Sequence, residues 1–135
     1  MFLQNISKFI SNYRYGQATV ESITTVKAAL LDFLGVTYRG VNEAAPQIAL
    51  YTVDEIFSGK FNSNLNASII GKDIKTDILS AAFVNSVSAH VLELDDGHRG
   101  AQIHLGAVIF PTALAIAEAY NLSGREFLER GHSRL

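Results

Sequence analysis

The 135-residue sequence has no cysteine, no tryptophan, one methionine and two prolines. Without cysteine the chain forms no disulfide, thiolate zinc site or cysteine nucleophile, and holds no iron–sulfur cluster through its own thiolates. Any chemistry must use oxygen and nitrogen groups. An excess of one charge is also missing: 11 Lys and Arg stand against 13 Asp and Glu, for a formal charge of -2. No basic run follows a phosphate backbone, so nucleic acid is not an expected partner. The longest apolar run, residues 106–117, is broken by Pro111 and Thr112 and falls short of the ~20 residues that a membrane helix needs. The opening stretch MFLQNISKFISNYRYG carries polar residues throughout and lacks the apolar centre of a secretory signal. The expectation is a cytoplasmic protein with no membrane partner. What is present is enough to fold: 48% hydrophobic and 18% charged residues describe a chain able to bury a sizeable core without cross-links.

Helical spacing dominates the pattern. Phe2, Ile6, Phe9, Ile10 and Tyr13 mark a first helix closed by Gly16, and Val20, Ile23, Val26, Leu30, Phe33 and Leu34 a second over residues 20–36, with Gly35 at its end. A third is expected over residues 45–58, with Pro46 in its first turn and Gly59 just past it. Residues 60–75 read as a loop that passes through a short extended piece at 67–70. From Thr76, taken as a cap, Leu79, Phe83, Val87, Val91 and Leu94 recur at three or four residues and predict a helix, in which Ala81, Ala82 and Ala89 let neighbours approach closely. A further helix is expected over residues 106–120, bent or started by Pro111. Ser123 and Glu126 have the spacing of a capping box. With no convincing alternating strands, the fold class is all-α.

Ionisable residues concentrate in HVLELDDGHRGAQIH, residues 90–104, which holds three of the four histidines. Histidine titrates near neutrality and a nearby carboxylate can orient it, so this group suits general acid–base work. Gly97, Gly100 and Gly106 would let the backbone turn around a ligand. The plainer reading is a solvated loop whose Asp95 and Asp96 serve turns or caps, with His90 a hydrogen-bonded core residue. Asp95, Asp96, His98 and His104 are also candidate metal ligands, but their spacing matches no recognised zinc or calcium motif.

The runs AHVLELDDGH (89–98), HLG (104–106) and PTALAIAE (111–118), with AALLDFLGV (28–36) and AAFVNS (81–86) upstream and Ser123-Gly124 downstream, resemble the MmgE/PrpD family in the same order. That family includes 2-methylcitrate dehydratases and cis-aconitate decarboxylases. The resemblance implies the N-terminal portion of a helical domain that later helices complete, joined in longer relatives to a smaller α/β domain absent here, with homodimers in full-length relatives. Residues 131–135 are not similar to the continuation the family would have. Position by position, Glu93 matches the acid before the Asp pair, Asp95 and Asp96 the pair, and His104 the histidine of the family's His-Pro-Gly. His98 falls where relatives carry a histidine or an aromatic residue. Leu105 replaces the proline, Ser86 stands where glycine is common, and the family's later lysine, histidine and tyrosine have no counterpart.

The resemblance implies a lyase acting on a small di- or tricarboxylic acid, with no metal and no cofactor. Glu93, Asp95 and His104 would form the catalytic set; Asp96, His98 and Arg99 would bind substrate, an arginine suiting bidentate carboxylate contact. Dehydration and decarboxylation are both compatible with these groups. The alternative is a catalytically inactive helical fragment that associates with a partner or paralogue through its uncovered apolar faces.

Overall fold

The computed structural model describes residues 2–13, 15–57 and 65–130. Among these the chain forms six α-helices and one two-stranded antiparallel hairpin. The order is α1 (Phe2–Asn12), a short 3-10 turn, α2 (Val20–Gly40), α3 (Ala44–Phe57), β1 (Asn66–Ser68), β2 (Lys75–Asp77), α4 (Ile78–His90), α5 (Gly106–Ala119) and α6 (Gly124–Arg130). The mostly helical class expected from the sequence is what the chain adopts. Ser58 and Gly59, the expected end of α3, lie outside the described residues, as do residues 131–135.

Helix α4 is the centre of the fold, packed by α2, α3 and α5. Its inner face is small: Ser80, Ala81, Val84, Asn85, Ser88 and Ala89 are buried. Small residues let helix axes approach closely, and at the α2–α4 crossing a Cβ on Gly40 would collide with the Ser88 carbonyl oxygen. Ala81 and Ala89 are where neighbours approach, as expected, while part of the larger apolar stripe is rotated outward. Leu79 and Phe83 are 63% and 51% exposed, and the helix ends at His90 rather than continuing to Leu94. The buried hydroxyls of Thr37 and Ser88 are satisfied by their own helices, donating to Phe33 O and Val84 O.

Several boundaries differ from expectation. Helix α2 runs through Gly35 to Gly40, because glycine weakens a helix by only about 1 kcal/mol and the following turn buries Thr37. The cap of α4 is Asp77, whose Oδ1 accepts from the Leu79 and Ser80 amides, not Thr76. Helix α5 begins at Gly106, upstream of the buried Pro111, so the proline does not mark its start. The capping box at Ser123 and Glu126 forms as expected, each backbone amide donating to the other's side chain.

The hairpin closes one side of the core. Ala67 and Ile69 are buried beside Val41, Val53, Val84 and Ala115, and Asn85 meets the strand's backbone from α4. Its Oδ1 accepts from Ile70 N at 2.9 Å and its Nδ2 donates to Ser68 O at 2.9 Å. From α5, Glu118 accepts from Ser68 N and Ser68 Oγ and pairs with Lys75 at 2.8 Å. A second cluster of Phe33, Ala89 and Ala107 joins α2, α4 and α5, with the rings of Phe33 and Phe110 5.6 Å apart. This packing fixes the end of α4 relative to the start of α5. The loop between them carries the ionisable cluster.

Candidate functional site

The loop from α4 to α5 has little regular structure but many fixed points. Glu93 takes φ 51° at the end of α4, with its amide donating to His90 O. His98 and Ile103 form an isolated antiparallel bridge, and the His98 Nδ1 accepts from Ala101 N at 3.0 Å. Asp96 Oδ1 accepts from Gly106 N at 2.8 Å. Leu105, at the N-cap position of α5, has no side-chain cap bond, so Asp96 supplies an acceptor to the helix start from outside the helix. A Cβ on Gly106 would overlap that carboxylate oxygen. Of the three glycines expected to curve around a ligand, Gly106 is the one where a side chain is excluded, and what excludes it is Asp96.

Three groups converge inside this frame. The Asp95 side chain is 2% exposed, and His90 Nδ1 lies 3.1 Å and 3.2 Å from its two oxygens in a hydrogen-bonding arrangement. His104 Nδ1 is 3.2 Å from Asp95 Oδ2, an ion-pair contact when the ring is protonated. The two imidazoles meet edge to face with centroids 4.7 Å apart. Their side chains are 50% and 41% exposed, so a buried carboxylate carries two imidazoles that open to solvent. A carboxylate accepts only, so His90 donates through Nδ1–H and its Nε2 is left with a lone pair when the ring is neutral.

Asp95 and His104 thus come together, with His90 as the third member. From the sequence His90 could be either a hydrogen-bonded core residue or a catalytic one; its half-exposed ring against Asp95 excludes the core position. The Glu93 carboxylate has no hydrogen bond to this group, and Glu93 is exposed. Asp96 serves Gly106 and His98 serves its own turn. Arg99 is exposed on the same loop, with no ion pair among the described residues. The metal set read from the sequence also changes: His90, Asp95 and His104 have ligand atoms all within 4.8 Å of one another, while Asp96 and His98 are not in the group.

Next to the loop, a cavity of about 410 Å³ lies between α2, α5 and α6. Its lining includes Val26, Ala29, Ile109 and Phe110, with Asp96 and Leu105 on the loop side. It is mostly apolar, and none of the three clustered residues lines it. No helix among the described residues is long and apolar enough to cross a membrane.

Fold and site together define a helical domain that presents an imidazole–carboxylate–imidazole cluster on the loop joining two core helices. Residues 4–130 match the MmgE/PrpD N-terminal domain, and the chain belongs to the MmgE/PrpD family. It is similar to cis-aconitate decarboxylase of Homo sapiens, at 31% identity over 117 residues, which is 86% of this chain. The chain spans 23% of the length of that relative. No solved structure matches.

Proposed function

We propose that the chain is the acid–base portion of a lyase acting on a small di- or tricarboxylic acid, with Asp95 and His104 at its centre. The observation that carries this reading is the buried Asp95 carboxylate in contact with two half-exposed imidazoles. Elimination of water from a hydroxy acid removes a proton from the carbon beside a carboxylate and expels hydroxide from the neighbouring carbon. A neutral imidazole can take the first proton, and a buried carboxylate beside it favours the imidazolium that forms. The same imidazolium can return the proton to departing hydroxide. Asp95 also restrains the rings, so less freedom is lost when the substrate arrives. Glu93, Asp96, His98 and Arg99 stand on the same loop, and the exposed Arg99 guanidinium suits a substrate carboxylate.

The dehydratase form of this reading is a 2-methylcitrate dehydratase-like reaction. Decarboxylation is the second form, and the name of the Homo sapiens relative favours it. There the carboxylate leaves as carbon dioxide and an imidazolium of the cluster protonates the carbanion left behind. Neither form needs a metal or a cofactor. A cytoplasmic setting, and a homodimer in full-length relatives, belong to the same proposal.

The test is incubation of the purified chain with 2-methylcitrate, citrate and cis-aconitate, followed by proton NMR for products and by carbon dioxide release. Turnover that disappears in His104→Ala and Asp95→Asn supports the reading. Absence of turnover, with a heteromer or homomer seen by light scattering, supports the alternative of a helical fragment that binds a partner and catalyses nothing.

A further inference from the structure

We infer that His90, Asp95 and His104 form a binding site for one divalent ion of the zinc class, and that this ion blocks the site rather than serving it. The first ground is the charge balance around Asp95. Its side chain is nearly inaccessible, yet among the described residues its close charged partners are two histidines, with no lysine or arginine. A buried carboxylate without a compensating cation is costly. The imidazole nitrogens that face this carboxylate are themselves potential metal ligands, so a divalent ion held among the three groups would supply the missing positive charge.

The second ground is geometry. Each Nδ1 lies 3.1–3.2 Å from a carboxylate oxygen, and all three ligand atoms fall within 4.8 Å. Ligands bound to zinc at about 2.0–2.2 Å stand roughly 3–3.5 Å from each other, so a small inward rotation of two half-exposed rings completes the set. Only His90 is aligned as a hydrogen-bond donor to Asp95, whereas His104 approaches the same carboxylate without that alignment. Its nitrogen is therefore not committed to the carboxylate by a directed bond.

The third ground is chemical selection. Two imidazoles and one carboxylate suit zinc, cobalt or nickel ions, whereas magnesium and calcium prefer all-oxygen sites and copper(I) prefers sulfur. Binding is not a redox step. The ion takes the Nδ1 lone pair of each ring, and the proton that a neutral ring carried on Nδ1 moves through solvent to Nε2. Asp95 and His104 cannot then hold or move a proton for a substrate. The inhibitory consequence rests on the lyase reading, but the binding itself does not.

Zinc chloride titrated calorimetrically into the chain, in a buffer free of carboxylates and phosphate, tests the binding. The expected result is one ion per chain, with a visible cobalt(II) spectrum and no saturable response to magnesium. His90→Gln, His104→Gln and Asp95→Asn should each weaken binding by more than the roughly 10–100-fold that loss of an outer-shell partner costs, while His98→Gln leaves it unchanged. Ring nitrogen NMR of the unaltered chain gives a readout that does not depend on the folding of any variant: zinc should move the Nδ1 resonances of His90 and His104 and leave His98 in place. No saturable binding, binding that survives both His90→Gln and His104→Gln, or a zinc response confined to His98 overturns the proposal. In an active preparation zinc should abolish turnover and a chelator restore it; turnover indifferent to bound zinc removes the inhibitory role and leaves the binding result standing.

Discussion

The start of α5 offers a sign-reversing test of how the site loop is anchored. Asp96 Oδ1 accepts from Gly106 N at 2.8 Å, and a Cβ on Gly106 would overlap that oxygen. In Gly106→Ala the carboxylate has to swing away and the helix loses its external acceptor. Loss of an N-terminal acceptor costs about 0.5–2 kcal/mol, and alanine returns up to about 1 kcal/mol of helix propensity over glycine. The substitution should thus be neutral to destabilising by about 1 kcal/mol. Asp96→Ala alone should cost about 0.5–2 kcal/mol for the same lost bond. With the carboxylate gone nothing opposes the new methyl group, so Gly106→Ala added to Asp96→Ala should stabilise. Urea denaturation of the four proteins, followed by circular dichroism, gives the cycle. A coupling of about 1–2 kcal/mol is expected for residues in direct contact. Equal effects of Gly106→Ala in both backgrounds, within about 0.3–0.5 kcal/mol, would refute the reasoning. The His104 ring resonances should shift in Gly106→Ala as well, since His104 stands just before the helix that Asp96 holds.

Further consequences follow for the rest of the fold. Asn85→Ala leaves the part-buried Ile70 amide and Ser68 carbonyl without their partner from α4; at about 1–3 kcal/mol for each orphaned group, a loss of roughly 2–6 kcal/mol should appear in the same denaturation assay, and a loss under about 1 kcal/mol would mean that water replaces the amide. Gly40→Ala pushes a methyl group into the Ser88 carbonyl and should cost about 1–3 kcal/mol by overpacking, measured by thermal melting. Acid should weaken the hairpin's attachments. Burial alone would raise the Asp77 and Glu118 carboxyls, but hydrogen bonds from Ser80, Leu79 and Thr76 to the first, and from Lys75 and Ser68 to the second, hold both below their ordinary values of 3.8 and 4.5. A depressed carboxylate stabilises the fold fully above its ordinary value, and that contribution disappears as pH falls through the depressed one. The denaturation midpoint should therefore drop below pH 4.5, and less steeply in Asp77→Asn and Glu118→Gln.

Much of this architecture was legible in the sequence because helix periodicity and caps are local signals. The Ser123–Glu126 box needed nothing beyond its own turn. The phase of α4 was legible only in part: Ala81 and Ala89 are where neighbours approach, but the larger apolar residues of the stripe, Leu79 and Phe83, are not inside. The close crossing of α2 at Gly40 selects Ala81, Ser88 and Ala89 instead, and that crossing joins residues far apart in the chain. The same rotation decides His90: its nearness to the apolar stripe left a core and a catalytic position both open, and the face it takes places it toward Asp95. Asp95 and His104 were singled out by composition and resemblance. Their distance could not be, since it depends on the turn through Glu93 and the bridge between His98 and Ile103. The hairpin was foreseen only as an extended piece, because Asn85 and Glu118 supply much of its fixation from other elements.

The central claim is that a buried Asp95 organises the imidazoles beside it, and the tautomers of the histidines report on this directly. In long-range nitrogen–proton NMR of the uniformly labelled chain, neutral His90 should carry its proton on Nδ1, donated to Asp95. Neutral His98 should carry its proton on Nε2, because its Nδ1 accepts from Ala101 N. Asp95→Ala should return His90 toward the ordinary tautomer mixture and leave His98 unchanged. Finding His90 as the Nε2–H form in the unaltered protein, or finding it indifferent to Asp95→Ala, would contradict the account.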